Sequence, residues 1–189
     1  MLRTQYFTAT SADGFIADKD NSLEWLFEVP RENGDGEWDE FIAGVSVMAM
    51  GATTYEWVLD HDNLLENPAR WQEYYGDRPC WVFSHRELPT IGGADLRFVA
   101  GDATTVHAQM ADAANVGNIW LVGGGDLVGQ FDDAGLLDEI HLGVQPVFLG
   151  AGAPLLPRRI TSERMHLRTA HQVGQTIRVV YDVQPRSGS

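Results

Sequence analysis

The 189-residue chain has almost no cysteine and almost no lysine. Cys80 stands alone, so no internal disulfide can form, and a reducing cytoplasm is the compartment this usage suits. It lies in the apolar run CWVFS, which marks it as a core thiol rather than a reactive one. Lys19 is the one lysine. Lys and Arg together number 13 against 27 Asp and Glu, for a net charge of −14. A surface this acidic favours solubility and repels nucleic acid and anionic membranes, which are held through basic patches. No run approaches the ~18 apolar residues of a membrane span. Residues 1–14 carry neither the apolar core nor the small-residue cleavage site of a signal peptide, and no Asn-x-Ser/Thr acceptor occurs. The histidines (His61, His85, His107, His141, His166, His171) form no His-x-x-x-His or Cys/His ligand set, so no metal is expected. Ser46, in Gly-Val-Ser-Val, lacks the second glycine of a hydrolase nucleophile elbow.

What is present suits one globular domain. Hydrophobic residues make up 44 % and charged residues 21 %, enough to bury a core without disulfide staples. We expect a single domain over 1–184 and a flexible tail over 185–189 (PRSGS). Residue types and punctuation predict strands over 3–10, 46–50, 80–84, 96–100, 119–122 and 139–148, the last interrupted by Pro146. Helices are expected over 36–44, 53–59, 67–75, 104–114 and 126–134. Residues 33–35 supply turn and cap types before the first of these, Thr53 or Thr54 caps the second, and Pro68 opens the third. The stretch SADGFIADKDNSLEWL reads as a loop with some order. At the end, 166–173 and 176–183 flank Gly174-Gln175. There Ile177, Val179, Tyr181 and Val183 alternate with Arg178, Val180 and Asp182, so a hairpin with one well-defined buried face is expected. Alternating strands and helices followed by antiparallel strands predict an α/β fold with a mixed, mostly parallel sheet and a C-terminal hairpin. Ligands in such sheets collect at the carboxyl ends of the strands.

Three strand ends carry features suited to an anion. The first is NIWLVGGGDLVG. It is not a Rossmann fingerprint, because Val128 stands where the third glycine belongs and too little chain follows to complete a two-half nucleotide domain. No Gly-Lys-Ser/Thr follows, so it is not a P-loop. A glycine turn into a helix still lets backbone N–H groups and the helix's positive end approach a phosphate; the alternative is a plain strand-to-helix corner. The second is SVMAMGATTYEWV, where Thr53 and Thr54 follow a strand and a glycine. The third is VFSHRE, where Ser84, His85 and Arg86 gather polar and cationic groups. Three such ends fit one extended polyphosphate better than three unrelated corners.

Four stretches together resemble the dihydrofolate reductase-like superfamily. They are closest to the reductase domain of riboflavin-biosynthesis deaminase/reductases and its stand-alone relatives. TATSADGFIAD resembles the family's first strand and loop. MGATTYEWV resembles its Met-Gly-Arg-x-Thr-Tyr-Glu segment. WLVGGGDLVGQFDDAGLLDEIHL resembles its triple-glycine strand-helix-strand unit, and QPVFLGAGAPLLP its Pro-Val-x-Leu-Gly-x-Gly-x-Pro-Leu loop. They occur in the family's order between residues 8 and 157. The resemblance implies a three-layer fold with about eight strands, an NADPH site and a small heterocyclic substrate of pterin or ribosylaminopyrimidine type. Carried over by position, Ala9 and Ile16 border the nicotinamide. Gly51, Ala52, Thr53 and Thr54 hold the pyrophosphate, and Ser84, His85 and Arg86 surround the adenosine 2′-phosphate. Val122, Gly123, Gly124, Gly125, Asp126 and Leu127 wrap the pyrophosphate and approach the nicotinamide ribose. Ala52 departs from the family's arginine, which leaves the preference for NADPH over NADH resting on Arg86, with His85 beside it.

The cofactor carries hydride chemistry, so the protein need only align donor and acceptor and supply a proton. The family's carboxylate on the first helix orients the pterin. Asp35, Glu37, Asp39 and Glu40 lie near it here, with Asp35 and Asp39 on one face and Trp38, Phe41, Ile42 and Val45 opposite. Asp39 is the expected catalytic residue there, against a plain solvated acidic face. Asp13 is the second candidate, beside the expected nicotinamide, against a role as a turn former with Gly14. Trp25, Trp38 and Trp57 are candidates for an aromatic pocket, or for core. A binding protein without turnover, or a paired scaffold with a vestigial site, are the alternatives to a reductase. Family members often pair, and the terminal hairpin offers a surface for a homodimer.

Overall fold

The computed structural model describes residues 2–30 and 36–186. The expected cap at 33–35, the carboxylate of Asp35 and the last three residues of the expected tail lie outside the described residues. Among the described residues ten strands and six helices follow in chain order: β1 (Thr4–Ser11), β2 (Phe15–Ala17), α1 (Glu24–Phe27), α2 (Glu37–Gly44), β3 (Val45–Gly51), α3 (Ala52–His61), α4 (Ala69–Tyr75), β4 (Cys80–Phe83), β5 (Leu96–Val99), α5 (Ala103–Ala114), β6 (Asn118–Gly123), α6 (Gly125–Asp133), β7 (Glu139–Gln145), β8 (Ala153–Pro154), β9 (Met165–Val173) and β10 (Thr176–Val183). Eight of the strands form one sheet in the order β5-β4-β3-β6-β1-β7-β10-β9, and β2 pairs with β8 in a small second sheet. The pairings from β5 across to β7 are parallel; β10 and β9 join antiparallel. This is the expected α/β architecture with a mostly parallel sheet and a terminal hairpin.

The central strands are apolar on both faces because both faces are covered. In β3, Val47 and Ala49 enter the core shared with α5 and α6, while Met48 and Met50 enter the core shared with α2, α3 and α4. β6 divides in the same way, with Ile119 and Leu121 on the first face and Trp120 on the second. Each helix buries one stripe. In α5 the buried residues are Ala103, Val106, Met110 and Ala114, at helical spacing, and Asp102 caps it by accepting the Thr105 backbone N–H at 3.0 Å. Cys80 is buried in the α4 side of the core, where burial pushes its thiol pKa up.

Three expectations are corrected. Neither Thr53 nor Thr54 caps α3. The chain passes from β3 into the helix through Gly51 alone, which puts both threonines inside the first turn. The strand expected to run to residue 148 ends at Gln145, since Pro146 has no N–H for the ladder. The hairpin does not bury one alternate face. Ile177 is 51 % exposed, whereas Val180 and Val183 are buried. A register shift between Val180 and Tyr181 leaves Arg168 unpaired on β9. That bulge re-aims Arg168 into the sheet, where it binds Asp182 and reaches Glu139 Oε1 at 2.7 Å.

Two buried carboxylates fasten the hairpin to the rest of the sheet. Asp132, fully buried on α6, accepts from Arg164 Nη2 at 2.6 Å and Arg186 Nη2 at 2.8 Å, one on each side of the hairpin. Glu139 on β7 accepts from Gln5 Nε2 at 2.7 Å, pairs with His141 Nε2 at 2.8 Å, and meets Arg168 and Arg3. Burial alone would raise both pKa values. The hydrogen bonds from these partners outweigh it, holding Asp132 below the usual carboxylate range and Glu139 at about 2. Because the folded-state values are depressed, the stabilisation is present at neutral pH and is lost as pH falls from roughly 4.3 toward about 2. Asp132→Ala leaves Arg164 without its carboxylate partner and is expected to cost about 3 kcal/mol of unfolding free energy at pH 7, measured by urea titration. The same titration at pH 3 should show wild type and variant closer together.

Candidate functional site

The carboxyl ends of β3 and β6 lie side by side, and each strand runs directly into a helix. Gly51 ends β3 and α3 begins at Ala52; Gly123 ends β6 and α6 begins at Gly125. Gly124 joins the second pair with φ +95°, a conformation that L side chains rarely adopt. A Cβ on Gly124 would lie 3.8 Å from Gly51 N, so the two strand ends form one bare backbone surface. The positive ends of both helices point to this surface.

A third segment closes the cleft from the side. A Cβ on Gly125 would fall 2.3 Å from the Pro154 carbonyl oxygen and 2.6 Å from that of Leu155. Only glycine allows the 153–157 segment to press so closely on the start of α6. The other side of that segment is held by the Asp13 turn. Leu155 N donates to Gly14 O at 2.9 Å, and β8 pairs with β2. Asp13 accepts from Ser11 Oγ at 2.6 Å, Leu149 N at 3.1 Å and Gly150 N at 2.7 Å. The Ser11 hydrogen bond, followed by those from the Gly150 and Leu149 amides, lowers its pKa below the usual range. The Asp13 carboxylate is therefore an ionised anchor for the β7–β8 loop.

The resulting cavity of about 310 Å³ is lined mainly by apolar groups. Thr8, Val122 and Gly123 form its floor, and Ile16, Ala17, Ala153, Pro154 and Pro157 one wall. Thr53, Thr54 and Trp57 from α3 form the other wall, with Asn21 and Leu23 at the mouth. Of the residues expected at a cofactor, Ile16, Thr53, Thr54, Val122, Gly123, Gly124, Gly125 and Asp126 meet here. Leu127 is buried beneath, and Gly51 and Ala52 stand at the α3 start. Ala9 lies one residue beyond the floor, paired with Gly143. Ser84, His85 and Arg86 line a separate shallow groove with Leu88, Phe98 and Val99. Asp126 turns outward, where its carboxylate meets Arg158 at 3.1 Å.

The acidic helix is arranged differently from expectation. Asp39 is exposed on α2, while Glu37 turns toward the sheet, its Oε2 3.7 Å from Arg178 Nε. Of the three tryptophans, Trp25 is core, Trp38 packs edge-on against Phe7 and Trp120, and Trp57 lines the cleft. Asn21, Leu23 and Pro157 carry no local signal of a site. They reach it through the β2–β8 pairing, although the loop containing Pro157 was one of the four resembling stretches. Among the described residues no cluster of His, Cys, Asp or Glu is placed to hold a metal ion, and no helix is long and apolar enough to cross a membrane.

The model of the RibD C-terminal domain matches residues 57–179. The chain belongs to this family. Among curated proteins it is 30 % identical to the uncharacterized protein YwjB of Bacillus subtilis (strain 168), over 95 % of this chain and 97 % of the relative. The structure of a Shewanella sp. PV-4 protein named for riboflavin biosynthesis aligns with a TM-score of 0.79 at 25 % identity, covering 98 % of this chain and all of that one. A dihydrofolate reductase from Enterococcus faecalis aligns with a TM-score of 0.58 at 11 % identity, covering 98 % and 97 %. That last likeness is one of fold. The chain spans 56 % of the length of the Thermotoga maritima deaminase/reductase, which aligns at 13 % identity and a TM-score of 0.63, again a likeness of fold.

Two outcomes test this geometry. Gly125→Ala must push the 153–157 segment away and is expected to cost about 1–3 kcal/mol of stability, read by urea unfolding. Asp13→Asn is expected to remove hydrogen-exchange protection at the Leu149 and Gly150 amides while leaving the β3 and β6 amides protected.

Proposed function

We propose that the protein is an NADPH-dependent reductase that delivers hydride to a small heterocycle of pterin or ribosylaminopyrimidine type. The observation that carries this reading is the convergence of two helix N-termini and two glycine strand ends on one apolar cleft. The fit to a dinucleotide rests on the bare backbone between Gly51 and Gly124, which a side chain would fill. A phosphate there would meet backbone amides rather than lysine or arginine, which suits a chain of net charge −14. Membership of a reductase-domain family supports the same chemistry.

In this reading NADPH supplies the hydride. The first turns of α3 and α6 bind its diphosphate, and Ile16, Val122 and Ala9 hold the nicotinamide end. The wall of Ala17, Ala153 and Pro154 excludes water, which strengthens the local electrostatics. Asp13 positions that wall and stays ionised. In this reading the substrate lies on the α2 face of the sheet, where Glu37 rather than Asp39 stands 3.7 Å from Arg178. A cytoplasmic location and a homodimer formed through the terminal hairpin belong to the same proposal.

The reading is tested by thermal unfolding with added NADPH. At 100 times its dissociation constant the cofactor should stabilise the chain by about 2.7 kcal/mol, or roughly 5–10 °C for a domain of this size. No shift with NADPH or NADH would overturn the reductase. A shift without loss of nicotinamide absorbance, across dihydrofolate and ribosylaminopyrimidine substrates, would favour a binding protein.

A further inference from the structure

The shallow groove beyond the glycine cleft has a charge arrangement of its own. The strand ends are in register: Gly51 on β3 pairs with Phe83 on β4, which pairs with Val99 on β5. A ligand with phosphates on Gly51 and Gly124 that continues along the strand ends reaches this groove after two strand spacings, about 10 Å. Arg86 is the sole arginine or lysine among the groove's lining residues. Its guanidinium forks onto Glu56, with Nη1 2.8 Å from Oε1 and Nη2 2.7 Å from Oε2. Glu56 stands four residues after Ala52 on α3, so the two share a helix face. That face carries a methyl group and a carboxylate where a phosphate would want cations. Ser84 adds no free donor, because its Oγ accepts the Arg86 N–H and donates to the Arg86 carbonyl, both at 2.9 Å.

A 2′-phosphate entering the groove must take the Arg86 fork from Glu56, or lie beside its carboxylate. Both outcomes set two anions against the one guanidinium, with Glu87 and the imidazole of His85 the other ionisable groups of the lining. A ribose 2′-hydroxyl meets no such conflict. It can donate to the Glu56 carboxylate while the Arg86 fork stays closed. The bidentate geometry matters here, since it fixes the guanidinium on Glu56 through both outer nitrogens and leaves only the second N–H of each and the Nε–H for another acceptor.

We propose that Glu56 is a specificity-determining residue: by holding Arg86 it makes the adenosine end of the cleft accept NADH about as well as NADPH. This rests on the dinucleotide reading above and sharpens it, because the family resemblance alone implies NADPH. Glu56→Gln keeps the size of the side chain and frees the guanidinium for phosphate. The loss of an exposed ion pair leaves the fold little changed.

The test is equilibrium binding of NADPH and NADH, read by quenching of tryptophan fluorescence, with Trp57 in the cleft wall as the reporter. For the wild type the two dissociation constants are expected to agree within about threefold. For Glu56→Gln NADPH should tighten about tenfold, the scale of one charge-assisted contact, and NADH should stay the same or weaken. The double variant Glu56→Gln/Arg86→Gln should lose that gain. If both cofactors bind but the NADPH-to-NADH ratio is unmoved by Glu56→Gln, the role of Glu56 is overturned and the dinucleotide reading stands. A wild type that already prefers NADPH by more than about tenfold overturns it equally. If neither cofactor binds the wild type, both proposals fall together.

Discussion

The contact between Gly125 and the carbonyls of Pro154 and Leu155 is the constraint on which the cleft depends. It brings a loop that follows β7 onto the first turn of α6, across the strand ends between them. Without it the glycine turn would be an open corner, because β3 and β6 supply only a floor. The same loop is held from its other side by Asp13, whose carboxylate takes two backbone amides 136 and 137 residues away. One wall of the site is thus fastened twice, once by the lack of a side chain and once by a charge.

The excess of acidic residues shapes the molecule in a second way. Arginines are few, and many of them are committed. Arg164 and Arg186 serve Asp132, Arg168 serves Glu139 and Asp182, Arg158 serves Asp126 and Asp133, and Arg86 serves Glu56. Buried carboxylates are stable only with such partners, since burial opposes their charge. That leaves backbone dipoles, such as those at the glycine strand ends, as the positive groups at the cleft. The one arginine lining the groove at the ends of β4 and β5, Arg86, is already paired with Glu56.

Much of this was legible in sequence. The Gly51 and Gly123 to Gly125 segments with Thr53 and Thr54 could be assigned to one ligand because a strand end, a glycine and a helix start are local features, whereas Ile16 followed only from the family resemblance. The order of elements was equally readable from apolar runs and their punctuation. What escaped were effects of distant contacts. The β2–β8 pair is too short to show a period. The hairpin's buried face was read from the alternation along β10, but Val180, on the opposite face, is buried as well and Ile177 is not. Asp39 and Glu37 differ only in helix rotation, which is set by what Phe41 packs against.

The sequence by itself determined the alternating strands and helices, the acidic surface, and the bare glycines at two strand ends, because each follows from residue type over a few neighbours. The tertiary structure decided which charges meet. It gave Asp13 to the 149–150 amides, Glu37 to Arg178 and Glu56 to Arg86. Such contacts depend on distance in space: the Gly150 amide, Arg178 and Arg86 lie 30 or more residues along the chain from Asp13, Glu37 and Glu56 respectively.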